Sequence, residues 1–537
     1  MSFWKHIKDK VAFDQPDMRF ELLERESGEP RHLFGWEDVP AQQEEAYEPC
    51  PDTLAEVKDK LGKTFRTDIN KDVIFKRFTA GAERIMLVYM NGMADADLIS
   101  DFIIKPLLKI DETEDVGLND LREHYVEISE DETSDDLTKI KQAIMDGMTI
   151  LFMEGENQAL ILETRGYEKR SVSSAENEKV VRGPKEGFVE SIRTNITLVR
   201  RIIKSNDLVV ERRSSGGDNN TQIAILYRDG VTNRSLIEEV KRRLAKINIR
   251  SMFSTGVLEQ LIEDCPSSPL PQTLATERPD RTANYIMRGS VALIADGSPF
   301  AIIVPITLAS LMSSPEDIYL RKPLGDVIRI VRYIGVLLSL LLPGYFIALA
   351  LYHQGLLSNE VLNTVIQSRQ MVFLPIAAEM IMLLLVFQLI REAGMRVPGS
   401  IGQAIGIIGG LILGQAAVAA NLASSVILIV VAVSGLGNFC VPDHSSQIAA
   451  SYFRIAFVIA AWLAGLLGLT CAFVIFIAYL ANLKSFGVPF LAPYAPKTYN
   501  KRPYILRGRI GMHHRAEDYM NTHSDTLKKK KDYSAKA

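Results

Sequence analysis

Glu379 is the one charged residue in the apolar run "QMVFLPIAAEMIMLLLVFQLI" between Arg369 and Arg391. A carboxylate held near the middle of a bilayer costs roughly 2.5–3.5 kcal/mol on insertion scales, so it is expected to face protein or water. Two chemistries suit such a group. It can line an ion path or a gate, or it can be a neutral or paired acid in an interfacial or re-entrant helix, a reading that Pro375 four residues earlier encourages. Gln415 and Asn421, polar residues of the next charge-free run, join it as pore or gating candidates. In that same run Gly402, Gly406, Gly410 and Gly414 recur every fourth position. Positions four apart share a helix face, so the stripe predicts a flat docking groove about three turns long. Small residues let helices approach closely in lipid, where apolar burial supplies no association. The stripe fits packing against the next helix of the same chain or packing between copies around a ring.

These groups need helices to hold them. The gaps between charges predict a first span from Arg332 to Glu360, with Pro343 and Gly344 kinking it, and a second from Arg369 to Arg391. From Val397 to Pro442 there is no charge at all, about twice one span's length, which predicts a helical hairpin turning near "AANLASS". The last run, Ile455 to Leu483, reads as the clearest spanning helix. Arg329, Arg332 and the "REAGMR" turn lie on the cytosolic side by the positive-inside rule. Five full spans leave the tail outside; four bring it inside, and the basic "KKKK" at Lys528 to Lys531 favours the inside. The segment 371–390 is then the unusual one.

The remainder of the 537 residues is charged and long enough for further cores. No apolar leader opens the chain, so the N-terminal part is expected in the cytosol. From residue 484 onward 12 Lys/Arg stand against 4 Asp/Glu, a surplus of 8 in a chain of net charge −4. That basic end reads as membrane-directed, toward lipid head groups, with no nucleic-acid partner. Cys50, Cys265, Cys440 and Cys471 lie far apart without a CxxC pair and read as reduced, packed thiols.

Strand and helix signals alternate before the membrane. "ERIMLVYMNG" reads as a strand and "TILFMEGENQALILETRG" as a hairpin turning at "GEN"; "ADADLISDFIIKPLL" reads as a helix. The acidic runs at 111–115 and 129–136 read as solvated loops. In "VVRGPKEGFVESIRTNITLVRRIIK" Pro184 is expected at the first helical position, with Phe188, Ile192, Ile196 and Val199 inward and Arg193, Thr197, Arg200 and Lys204 on the surface. "DLVVERRS", "TQIAILYRDG" and "TNRSLIEEVKRRLAKI" follow as strand, strand and helix, and 290–312 as a hairpin at Asp296-Gly297. The fold class expected is an α+β or α/β two-part cytosolic domain, then an α-helical transmembrane domain of about four to five segments, then a basic tail. The boundaries are 1–61 (extension), 62–180 and 181–325 (cytosolic subdomains), 326–483 (transmembrane) and 484–537 (tail).

No phosphate loop, dinucleotide fingerprint, HExxH or GxSxG is present, so neither an enzyme, a cofactor nor a metal is expected. "VVRGPKEGFVESIRTNITLVRRII", "GSVALIADGSPFAIIVP", "SSPEDIYLR" and "LPIAAEMIMLLLVFQLIREAGMRVPGSIGQAIGIIGGLILGQAAVAA" together resemble the A subunit of spore germinant receptors, the GerA family of endospore-forming bacteria, over roughly 62–495. The residues carrying the resemblance include Arg182, Gly183, Pro184, Gly187, Phe188, Glu190 and Asn195, and Arg391, Glu392, Gly394 and Pro398. The resemblance implies an integral protein of the spore inner membrane with its N-terminal domain facing the core. It implies assembly with a transporter-like B subunit that senses nutrients and with a C lipoprotein, and a ring of A subunits passing monovalent cations. The family also holds a relative from the spore dipicolinate-release operon, a membrane scaffold or accessory channel that amplifies germination without sensing a nutrient.

Overall fold

The computed structural model describes residues 47–111, 114, 116–166, 175, 178, 180–216, 220–252, 254–396, 410, 412–496 and 518–522. These fall into two compact units, one holding the residues up to 263 with 273–305 and 518–522, the other holding 264–272 and 306–496.

The first unit is a duplication. Its first half runs helix α1 (Leu54–Phe65), hairpin β1 (Val73–Ala80) and β2 (Glu83–Met90), a helical stretch over 96–107, β3 (Asp131–Ser134), α2 (Leu137–Asp146), and hairpin β4 (Thr149–Met153) and β5 (Ala159–Leu162). Its second half runs α3 (Ile192–Ile202), hairpin β6 (Leu208–Ser215) and β7 (Thr221–Arg228), α4 (Arg234–Lys246), α5 (Thr255–Ile262), β8 (Leu274–Thr276), α6 (Pro279–Met287), and hairpin β9 (Val291–Ala295) and β10 (Ala301–Val304). The sheet orders are β1-β2-β4-β5-β3 and β6-β7-β9-β10-β8, the same permutation, with every pairing antiparallel. The repeat also shows in sequence. "IMLVYMNGMADADLI" and "IAILYRDGVTNRSLI" align without a gap, matching Ile85 to Ile223, Tyr89 to Tyr227, Gly92 to Gly230 and Leu98 to Leu236. Both glycines have positive φ, a conformation only glycine adopts without strain. The residues three further on, Asp95 and Asn233, each cap the following helix by accepting backbone N–H bonds.

Both hairpins expected at "GEN" and at Asp296-Gly297 are present, each turning on a glycine with positive φ, Gly155 and Gly297. Three expectations are corrected here. Residues 131–134 of the acidic run 129–136 are an edge strand, not a loop: the backbone pairs with β5 while Asp131 and Glu132 stay at the surface. The helix expected from Pro184 starts at Ile192 instead, because Ser191 caps it and Asn195 holds the preceding chain extended, accepting from Val189 N at 2.8 Å and donating to Val189 O at 2.5 Å. Arg200 and Thr197 are buried, not superficial, since this face of α3 packs against the first half of the duplication. There the Arg200 guanidinium donates to Asp72 at 2.9 and 3.0 Å and to Asn70 at 3.2 Å.

The second unit is helical. Helix α7 (Glu316–Tyr319) leads into α8 (Lys322–Tyr352), which runs through Pro343 as one element. Then come α9 (Asn359–Arg369), α10 (Ile376–Arg396), a helical stretch at 412–419, α11 (Ser425–Asn438) and α12 (His444–Asn482). The hairpin turn expected near "AANLASS" is found at 420–424, closed by Leu422 N donating to Ala417 O at 2.9 Å. Cross-contacts set the directions. Gly335 faces Gly437 and Cys440, and Ser434 Oγ donates to Ser339 O at 2.9 Å, so α8 and α11 are antiparallel. Glu379 meets Ser424 while Phe387 meets Gly435 and Phe439, so α10 and α11 run side by side in one direction.

The last run is not one spanning helix. Ala464 and Gly465 leave the helical region, Gly465 at φ 59° and ψ −140°, a conformation essentially restricted to glycine. The chain folds back there into two antiparallel arms, 444–463 and 466–482. Phe453 and Phe476, whose rings lie 4.7 Å apart, would be separated by about 35 Å in a straight helix. Tyr352 at the end of α8 donates to Trp462 O at 2.7 Å, beside the fold. Among the described residues two helices are long and apolar enough to cross a membrane, Pro323–Tyr352 and His444–Asn482, the second being this folded pair.

Both ends of the helical unit meet. After α12 the chain makes a small hairpin, β11 (Lys484–Ser485) and β12 (Val488–Pro489). Ser485 Oγ donates to Gln272 O at 2.6 Å and accepts from Ile306 N at 3.0 Å; Phe486 N donates to Asp264 at 2.5 Å; Leu308 N donates to Phe490 O at 2.8 Å. The entry into α8 and the exit from α12 therefore lie at one end of this unit.

Candidate functional site

Glu379 is completely buried one turn into α10. Oε1 accepts the backbone N–H of Ser424 at 2.6 Å, and Oε2 pairs with Arg369 Nε at 3.3 Å. Ser424 is the residue capping α11, so the carboxylate sits where that helix presents its free N–H groups and positive dipole end. Arg369, at the end of α9, also donates to Leu374 O at 2.9 Å and so fixes the chain between α9 and α10. In this conformation the acid joins three helices. Its sequence neighbours as candidates are separate from it: Gln415 and Asn421 are both exposed, Asn421 in the turn with φ 56°.

Of the glycine stripe, Gly402 and Gly406 lie outside the described residues, as does Pro398. An added Cβ on Gly414 would come within 3.2 Å of Leu428 on α11, so this glycine lets 412–419 pack closely inside the chain. One on Gly410 would meet nothing within 4 Å. Among the described residues the two glycines thus differ, Gly414 pressed against its own chain and the half-buried Gly410 meeting none of them.

At the entry to α8, Asp317 of α7 is 1 % exposed and accepts from Arg332 at 2.8 and 2.9 Å and from Arg329 at 2.9 Å. Burial pulls its pKa upward, but the hydrogen bonds and charge of Arg332, helped by Arg329, outweigh burial and hold it below the usual carboxylate value. This clamp lies within "SSPEDIYLRKPLGDVIRIVR", and its carboxylate was not singled out from the sequence, where an Asp beside a Glu and a Pro reads as a loop acid.

The motif around 182–195 is likewise resolved into parts. Arg182, Gly183, Pro184 and Glu190 are exposed, Gly183 with φ 123°, whereas Gly187, Phe188 and Asn195 are buried. Arg278, 1 % exposed, holds the loop by donating to Pro184 O at 2.8 Å and Glu178 O at 3.2 Å while paired with Asp280. In the other motif Arg391 is buried and Glu392 and Gly394 are half-buried.

The described residues thus form a duplicated α/β unit followed by an apolar helical unit that contains buried ion pairs. Residues 58–519 match the family described as Bacillus/Clostridium GerA spore germination protein, and the chain belongs to that family. It is 33 % identical to spore germination protein KA of Bacillus subtilis (strain 168), over 82 % of this chain and 81 % of that one. It is 35 % identical to spore germination protein A1 of the same organism, over 84 % and 92 %, and 32 % identical to spore germination protein GerLA of Bacillus cereus, over 89 % and 97 %. Among solved structures it is similar to the N-terminal domain of the A subunit of the Bacillus megaterium spore germinant receptor GerK3. That match is 28 % identical with a TM-score of 0.39, covering 48 % of this chain and 96 % of that one.

Proposed function

We propose that this chain is the A subunit of a nutrient-responsive germinant receptor of the spore inner membrane, working with a transporter-like B subunit and a C lipoprotein. In this reading copies of the chain assemble into a ring that passes monovalent cations. The observation that carries it is the family match over 58–519, which spans both units. The exposed side chains of the helical unit support a lipid or subunit environment: Leu337, Leu389, Ile429, Leu463, Leu467 and Val474 are all open and large. Residues 518–522 support both ends lying on one side. Asn521 O accepts from Asn233 at 3.0 Å, and Met520 and Thr522 are buried on the second half of the duplication.

The open Gly410, with the exposed Gln415, suits a face between copies, while Gly414 serves packing within one. Glu379 then acts on the gate through the joint it makes among α9, α10 and α11: a partner that pulls this joint apart frees a carboxylate toward the path. A ligand on the B subunit drives such a change only through different affinities for the two states. The second reading is the accessory channel or scaffold of the dipicolinate-release operon, favoured by the same family match. The test is potassium efflux from vesicles holding the chain with its co-encoded B and C partners, before and after a pulse of mixed amino acids and sugars. Efflux that follows the pulse and changes in Gln415→Leu supports the receptor reading. Efflux without dependence on the pulse favours the accessory channel, and none from a verified assembly removes the channel.

A further inference from the structure

Inside the helical unit two arginines from different helices are buried together without a carboxylate hydrogen-bonded to either among the described residues. Arg454 on the first arm of α12 is 4 % exposed and Arg391 on α10 is 8 % exposed. Arg454 reaches only hydroxyls, donating to Ser434 Oγ at 3.2 Å and Ser451 Oγ at 3.1 Å. Those hydroxyls are themselves held, Ser434 donating to Ser339 O at 2.9 Å and Ser451 to Gln388 Oε1 at 3.4 Å. Arg391 has buried Nε and Nη2 atoms with no partner at all. The two arginines are neighbours: Gln388, three residues before Arg391 on α10, accepts from Ser451, three residues before Arg454 on α12, and Glu392 beside Arg391 is half-buried.

Burying a cation is strongly unfavourable unless it is paired, and two cations together compound the cost. Two buried carboxylates of the helices obey the rule: Asp317 is matched by Arg332 and Arg329, and Glu379 by Arg369. Arg391 and Arg454 have no such ion pair among the described residues. Unpaired guanidinium N–H groups offer the planar fork that recognises oxyanions. We infer that this cluster is a binding site for a phosphate-type oxyanion, taken either as the free ion or as the head group of an anionic phospholipid. The site joins α10, α11 and both neighbours through Ser434 and Ser339, so an occupant ties α8, α10, α11 and α12 together. This inference does not depend on the receptor reading.

The test uses the full chain purified in neutral detergent, with inorganic phosphate as the probe at constant ionic strength. Equilibrium dialysis should show saturable uptake, weakened about tenfold or more in Arg391→Gln and in Arg454→Gln, the loss expected for one charge-assisted contact. A parallel arm transfers the chain to nanodiscs of phosphatidylglycerol or of phosphatidylcholine and follows thermal unfolding. Stabilisation by phosphatidylglycerol alone, lost in the same variants, assigns the site to lipid. Should the variants fail to fold, wild-type dialysis still decides. No saturable phosphate uptake together with equal unfolding in both lipids overturns the site and leaves a hydrated polar cluster.

Discussion

Single side chains in this protein act by holding segments together. Asp317 is the sharpest case, because its pKa is held down by two arginines. A carboxyl lowered in the folded state contributes stability that is present above its unfolded pKa, about 3.9, and lost as pH falls through the folded value. Unfolding temperature should therefore be insensitive to this group from pH 7 to about 4.5 and fall in stronger acid. Asp317→Asn should cost about 3 kcal/mol, the scale for breaking a buried pair, and should remove that group's share of the acid dependence. Thermal unfolding across pH in both proteins checks this; an unchanged acid slope in the variant contradicts it. Glu379 behaves as a joint as well. Glu379→Gln keeps an acceptor for Ser424 N, whereas Glu379→Ala leaves that N–H and Arg369 unmatched. The Ala variant should be less stable than the Gln variant by about 1–3 kcal/mol, and equal stabilities would dissolve the joint.

At the scale of elements the departures from sequence reading have a common cause. Reading spans from gaps between charges treats every arginine as an edge, and so starts the last run at Ile455. Arg454 instead lies well inside α12, where it donates to the Ser434 and Ser451 hydroxyls, contacts that the sequence does not display. The fold at Ala464-Gly465 is equally silent, since a glycine in an apolar run reads as helix packing. An oxidative cross-link distinguishes the two geometries. Phe453→Cys with Phe476→Cys should join rapidly within one chain if the arms are antiparallel, and not at all in a straight helix. Gly465→Ala should destabilise by about 1–3 kcal/mol, because its backbone conformation excludes a Cβ.

At the scale of the whole molecule the duplicated α/β unit is two copies of one plan joined by a buried ion pair. Arg200→Met strands Asp72 and should cost about 3–5 kcal/mol. Arg212 also reaches Asp72 at 3.4 Å from the surface and softens the loss toward the lower figure. Calorimetry of the full chain checks it: a separate, earlier transition of the duplicated α/β unit is expected, and an unshifted profile would show the halves held by apolar packing alone.

Periodicity, turn chemistry and charge were enough to mark the hairpins at "GEN" and Asp296-Gly297, the helix in "TNRSLIEEVKRRLAKI", the turn near "AANLASS" and the apolar character of the second half. These features are local: each depends on residues within a turn or two. Tertiary structure decided the rest. The strand at 131–134 exists because a neighbouring edge pairs with its backbone, whatever its side chains. The burial of Arg200, Glu379, Asp317 and Arg454 depends on partners from distant segments. The repeat of the α/β unit was written in "IMLVYMNGMADADLI" and "IAILYRDGVTNRSLI", yet its meaning needed the matching sheet orders, because short apolar strands look alike until their pairing is known.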